Sequence, residues 1–380
     1  MATLSAQRKD GAARRICRTR RRTLVESVDR RLVVLIPARD EAAKIADAIE
    51  ALWRQSRRPD QIIVVANNCT DGGATLQTAR SCGAWGIDLP NCRGKKAGAL
   101  NVALDIVLPD MAEDDLLLVQ DADTVLNGDF LVTAEGAMRR RVGAVGAVFY
   151  GEPGGGILGQ LQRMEYERYA WEIARNGGRA VVLSGTATLF RVSVLRQVKQ
   201  ARVSGRIGGG SGYYSLASLT EDDEMTKAVK TLGYKTMSPS GCSVVTEVMK
   251  TIPALWNQRI RWQRGALENL RDYGLTRVTA PYLARQVMMG IGALALGLYL
   301  IFLTVMISSG GHFSFSPFWT SIGLLFVFEK VETVRRDGWR SAVLAALLVP
   351  ELIYDMFQHA VYFRSLFDLV RRREERWAAT

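Results

Sequence analysis

Short apolar runs alternate with helix-period segments along the first third of the chain. The runs "LVVLIP" (32–37), "QIIVVA" (61–66) and "LLLVQ" (116–120) have the length and the β-branched or wholly apolar character of buried strands. Between them, residues 41–53, 74–82 and 96–107 repeat apolar positions at helical spacing. Strands alternating with helices predict an α/β fold, a mostly parallel sheet with helices on both faces. Ligands of such sheets bind beyond the carboxyl ends of the strands. Here those ends are followed by "PARDE" (37–41), "NNCTDG" (67–72) and "DAD" (121–123).

Further along, "RVGAVGAVFY" (141–150) reads as a strand, and "GEPGGG" leads into an amphipathic, aromatic helix over 157–175. That helix suits either a membrane surface or the sheet. The glycine-rich stretch 204–214 reads as a mobile loop before the acids of 221–224. In "QRIRWQRG" (258–265), helical spacing puts Gln258, Arg261 and Trp262 on one face. Arg259 and Arg264 are predicted to snorkel to headgroups, and Trp256 and Trp262 to lie in an aromatic belt.

The last third changes character. Residues 287–307 run for 21 positions without a charge, and a bilayer core needs about 20. A second span is predicted near 313–329. A third segment, 341–363, contains Pro350 and carries Glu351, Asp355 and His359 on one stripe. It either crosses the membrane or breaks at Pro350 and lies in the interface plane, polar stripe to water. The loop around His312 lacks Lys and Arg, whereas 329–340 and 371–376 are basic, which places the N-terminal domain at the cytoplasmic face of a multi-pass inner or plasma membrane protein. The predicted organisation is a basic arm (1–30), a catalytic domain (31–250), an interfacial helix (251–275) and a membrane region (280–370).

Of the net charge of +12 over 380 residues, +7 comes from positions 1–31, which hold ten basic residues and three acids. The run "RRICRTRRR" (14–22) has no apolar stretch behind it, so neither a signal peptide nor a leading anchor is expected. An anionic leaflet is the expected partner of this arm rather than nucleic acid. Five cysteines without C-x-x-C spacing fit a reduced compartment. With histidine only at His312 and His359, any metal is expected on carboxylates rather than in a His or Cys zinc site.

Asp121 and Asp123 follow an apolar strand at i and i+2. Two such carboxylates can hold Mg²⁺ or Mn²⁺ with positions left for phosphate oxygens, although a turn or cap uses Asp equally well. In "LTEDDE" (219–224), Thr220 can cap a helix and acids favour its first turn. Four carboxylates exceed that need, and one could act as a general base. Lys95 and Lys96 at a helix start suit a phosphate, or are surface lysines.

In this order, "VVLIPARDE", "VVANNCTDG", "GKKAGALN", "QDAD", "SGTATLFR", "LTEDDE" and "QRIRW", followed by apolar spans, resemble the membrane-embedded family 2 glycosyltransferases, which include cellulose, chitin, hyaluronan and poly-N-acetylglucosamine synthases. The resemblance covers residues 31–265 and implies a GT-A type, Rossmann-like fold followed by interfacial and transmembrane helices. It implies a UDP-sugar donor with Ala38, Glu41 and Asn67 toward the uridine, Lys96 and Asp121 also lining the nucleotide site, and Arg261 on the departing diphosphate. Asp123 with Asp121 would hold the metal. Asp222 would be the base, with Glu221 beside it in the catalytic set. Gly185, Thr186, Gln258 and Trp262 would border the acceptor.

What this implies is an inverting, metal-dependent transfer to a lipid, glycan or protein acceptor at the cytoplasmic membrane face, with a β-glycoside formed. A processive synthase exporting through a minimal or oligomeric channel and an inactive sugar-nucleotide-binding adaptor are the alternatives. Arg259, off the Gln258–Arg261–Trp262 face, is expected to tolerate lysine.

Overall fold

The computed structural model describes residues 30–310 and 315–371. The basic arm, His312 and the segment from 372 onward lie outside the described residues. Strand β1 (Leu32–Ala38) shows why the sheet forms. Leu32, Val34 and Ile36 enter one core and Val33 and Leu35 the other, all five with no exposed surface. Beside it stand β2 (Gln61–Asn67), β3 (Trp85–Leu89) and β4 (Leu116–Gln120), with β6 (Val142–Gly146), β8 (Ala187–Arg191) and β9 (Lys235–Met237) beyond, in the order β3-β2-β1-β4-β8-β6-β9.

Strands β3, β2, β1 and β4 are mutually parallel, whereas β8 runs antiparallel to both β4 and β6. The sheet is therefore the mostly parallel, Rossmann-like one expected. Helices α1 (Ile45–Trp53), α2 (Ala74–Ser81) and α4 (Phe130–Ala137) cover one face. The other is covered by α3 (Lys95–Val107), α6 (Val192–Val203) and α7 (Glu221–Thr231). A strand expected over 141–150 is instead divided at Ala147, because β7 (Val148–Gly151) leaves the large sheet for a small one ordered β5 (Val125–Leu126), β10 (Ser243–Thr246), β7.

The aromatic helix α5 (Gly156–Arg175) packs inside the protein, on the small sheet and on the C-terminal helices. Tyr166 and Tyr169 pack on Phe149 of β7 at ring distances of 4.9 and 5.4 Å. Met164, on the same helix, packs with Val334 and Ala345 of the C-terminal helices. The stretch 204–214 is irregular but anchored. Arg202 donates to the Gly208 carbonyl at 2.6 Å, and Tyr213 and Tyr214 are buried. A Cβ on Gly209, whose φ is +98°, would lie 1.7 Å from the Arg202 guanidinium, so only glycine fits.

Helix α8 (Ile252–Tyr273) carries the "QRIRWQRG" stretch and is followed by helices α9 (Ala280–Ser308), α10 (Pro317–Val334), α11 (Trp339–Leu347) and α12 (Val349–Val370). By length and composition α9 can cross a bilayer, and its surface is almost wholly unburied. The candidate near 313–329 does not qualify. Residues 311–314 lie outside the described part, and α10 includes Glu329, Lys330 and Glu332. Helices α11 and α12 meet at 78° and count together as one further, bent candidate. The break falls at Leu348, two residues before Pro350, with φ at +56°. The polar stripe of α12 does not simply face water. Glu351 is buried, paired with Arg168 of α5 and, at 3.0 Å, with Lys330 of α10.

Candidate active site

The carboxyl ends of β1, β2 and β4 bring Ala38, Asn67 and Asp121 to one edge of the sheet. Because β8 is reversed, its start meets the end of β4, and the Asp121 amide donates to the Thr186 carbonyl at 2.9 Å. At the first turn of α3, Lys96 reaches across this seam. Its ammonium lies 2.6 Å from Asp121 and 2.9 Å from Glu221, and it donates to the Gly185 carbonyl at 3.5 Å. Burial works against this charge, yet the two carboxylates hold it well above the usual lysine range. Thus Lys96 is no loose surface lysine.

The carboxylates around it are unequal. Burial raises Asp121, Lys96 pulls it back, and Glu221 and Asp123 add to the rise, leaving it above the ordinary range. Glu41 is likewise raised by burial and then by Asp123, with Lys44 opposing. In Glu221, Lys96 overcomes the upward push of burial with help from Arg261, so this carboxyl sits below its usual value.

Glycines and hydroxyls set the acidic cluster in place. Thr220 does not cap α7 through its side chain, contrary to expectation; its hydroxyl accepts from Asn269 of α8 at 3.2 Å. A Cβ at Gly265 would lie 2.5 Å from that hydroxyl, which explains the glycine closing "QRIRWQRG". Of the four acids, Asp223 pairs with buried Lys227, and Glu224 with Arg202 at 2.6 Å. Those two hold the fold. Asp222 instead accepts from the Gly185 amide at 3.1 Å, and burial, followed by Glu221 and Asp223, pushes its carboxyl up to about 7. A carboxyl with that value exchanges protons near neutrality, as a general base requires.

Beside it lies a small cleft lined by Lys96, Gly185, Tyr214, Glu221 and Asp222 together with apolar Leu183 and Phe190. On α8, Gln258 and Arg261 are half-buried and Trp262 is 36% exposed. The headgroup-seeking roles expected of Arg259 and Arg264 do not hold. Arg259 is 4% exposed and bound to Glu165 at 2.9 Å, and buried Arg264 is bound to Glu268 at 2.8 Å. The Arg259 partner could not be read from the sequence, since Glu165 lies 94 positions away, whereas the i,i+4 pair of Arg264 with Glu268 was there to be read.

Among the described residues, the group of three whose possible metal-ligand atoms lie within 4.8 Å of one another is Asp40, Cys69 and Asp71. Asp40 there braces a loop, accepting from the amides of Thr70 at 2.6 Å and Asp71 at 3.1 Å. Asp121, half-buried and paired with Lys96, and exposed Asp123 are not part of that group.

Residues 30–265 match the family described as "Glycosyltransferase like family 2". The poly-beta-1,6-N-acetyl-D-glucosamine synthase of Staphylococcus epidermidis is 26% identical over 250 residues, 64% of this chain and 56% of the relative. The corresponding Staphylococcus aureus (strain COL) protein is 26% identical over 256 residues, 65% and 58% respectively. The chain thus spans little more than half the length of these curated relatives. In fold, it is similar to a mannosyltransferase of Pyrobaculum calidifontis solved with GDP-Man and Mn²⁺, with a TM-score of 0.59 at 19% identity over 90% of this chain and 88% of the other. The family match takes in well over half the chain and every strand of the large sheet, and the chain belongs to the family 2 glycosyltransferases.

Proposed function

We propose that the chain is an inverting, metal-dependent glycosyltransferase that takes a sugar from a UDP-sugar to a lipid, glycan or protein acceptor at the cytoplasmic face of a membrane, forming a β-glycoside. The observation carrying this reading is Asp222, held by the Gly185 amide in the lining of the cleft and poised near neutrality. Its carboxylate takes the proton of the acceptor hydroxyl while that oxygen attacks the anomeric carbon from the face opposite the nucleotide. The carbon–oxygen bond to UDP breaks in the same displacement, which inverts the centre.

Asp121 and Asp123 fit a hard divalent ion. Burial and the neighbouring Glu221 and Asp123 leave charge on Asp121 costly even beside Lys96, and a cation would neutralise it while leaving positions for phosphate oxygens. Bound there, Mg²⁺ or Mn²⁺ would offset the negative charge developing on the diphosphate. Arg261 and Lys96 add fixed positive charge on the same side. The names of the curated relatives support N-acetylglucosamine as the sugar, and they also support the processive reading, which product length on a gel separates from single addition.

Purified protein should release UDP from UDP-N-acetylglucosamine in preference to GDP release from GDP-mannose. EDTA should stop the release, and Mn²⁺ or Mg²⁺ should restore it. Full turnover in chelator would make Asp121 and Asp123 structural, and silence with every sugar nucleotide would favour the adaptor reading.

A further inference from the structure

We propose that Glu165 is a positioning residue for transfer: it holds the Arg259 guanidinium against one face of Trp262, so that the indole presents its other face in a fixed orientation. The inference rests on the reading that Trp262 lies under the acceptor sugar. It starts from a convergence on one atom. The Oε2 of Glu165, on α5, accepts from Arg259 of α8 at 2.9 Å, from the Tyr354 hydroxyl of α12 at 2.6 Å and from the Gln358 amide of α12 at 3.3 Å.

Arg259 is held on both sides. Its guanidinium lies 4.3 Å from the centroid of Trp262 and 5.7 Å from that of Tyr166, whose ring is fixed against Phe149 of the small sheet. Arg259 and Trp262 stand at i and i+3 on α8, where side chains meet. A cation over an indole restrains the ring without covering its far face, and Trp262 keeps 36% of its surface open. Glu165 therefore joins the membrane-side helix α12 to the residue read as the acceptor platform.

The test uses the full-length chain purified in detergent and labelled with 5-fluorotryptophan, giving eight fluorine reporters. The Trp262 line is identified by its loss in Trp262→Phe. In Glu165→Gln that line should move or broaden by more than its own width, while those of Trp53 and Trp85, on the far side of the sheet domain, stay in place. Tyr354→Phe, which removes one donor and no charge, should move it in the same direction by less. An unmoved Trp262 line in both variants overturns the proposal, and if Glu165→Gln fails to fold, as judged by the control lines, Tyr354→Phe decides.

Kinetics supply the second readout, with UDP-N-acetylglucosamine as donor and the β-1,6-linked N-acetylglucosamine disaccharide as acceptor probe. Glu165→Gln should raise the acceptor KM about fivefold and leave donor KM and saturated turnover within about twofold. In a Trp262→Leu background the same substitution should have no further effect on acceptor KM, since it acts through the indole. Full additivity, or an equal rise in donor KM, overturns the proposal. Absence of UDP release by the unsubstituted protein would fail the proposed function instead, and the fluorine lines alone would then judge the role of Glu165.

Discussion

Asp222→Asn is expected to lower turnover by about a thousandfold, within the range that a positioned general base supplies, while donor affinity changes by less than about twofold. Asparagine keeps the shape and can still accept from the Gly185 amide 3.1 Å away. What it loses is the capacity to take a proton. Donor binding by calorimetry beside turnover at saturating donor separates the two, and near-normal turnover would remove Asp222 from the role.

The pH profile carries the same assignment. Since the base works deprotonated and its carboxyl sits at about 7, turnover should rise with pH through that value. Burial is the first cause of the raised value and Glu221 the second, so Glu221→Gln should move the rising limb to lower pH. A limb that stays put would mean another group titrates.

Arg202→Met is expected to cost about 3–5 kcal/mol of stability, the range for breaking a buried ion pair from one side. The Arg202 side chain has no exposed surface and that of Glu224 only 4%, so the substitution strands a carboxylate in the interior with the Tyr273 hydroxyl as its remaining partner at 2.7 Å. Thermal unfolding should begin about 10 °C lower. Adding Glu224→Gln should recover most of the loss, because the stranded charge rather than the absent contact is the main cost. Arg202 also holds the Gly208 carbonyl, so protease should cut the 204–214 stretch sooner in the single variant. An unchanged midpoint would show that solvent reaches Glu224 after all.

The sheet was legible where burial is two-sided. Strands β1, β2 and β4 are continuous apolar runs, which buried parallel strands require. By contrast, β3, "WGIDL", lies at the edge with Trp85 exposed, so its pattern carries little signal. Nothing in "ATLFR" reveals that β8 runs backwards, because side-chain alternation is the same in either direction.

The strand-end residues and the acids of 221–224 were readable as candidates from residue type and place, and the fold brings Asp121, Glu221 and Asp222 together around Lys96 and Gly185. The division of labour among the acids was not readable, since Lys227 and Arg202 select Asp223 and Glu224 through packing between helices. Likewise Arg259 has the spacing of a membrane-facing cation, and only the fold brings Glu165 to it.

The reversed strand β8 also has a mechanical meaning. Asp121 is tied to Thr186, Gly185 to Asp222, and Lys96 bridges Asp121, Gly185 and Glu221, so β4, β8, α3 and α7 share one set of struts at the cleft. Asp222 and Asp121 therefore sit in one bonded frame rather than on independent elements. Helix α8 is seated on that frame through Asn269, which donates to Thr220 and to Asp223. Its clearance is set by Gly265 against Thr220, with no room for even one added methyl group.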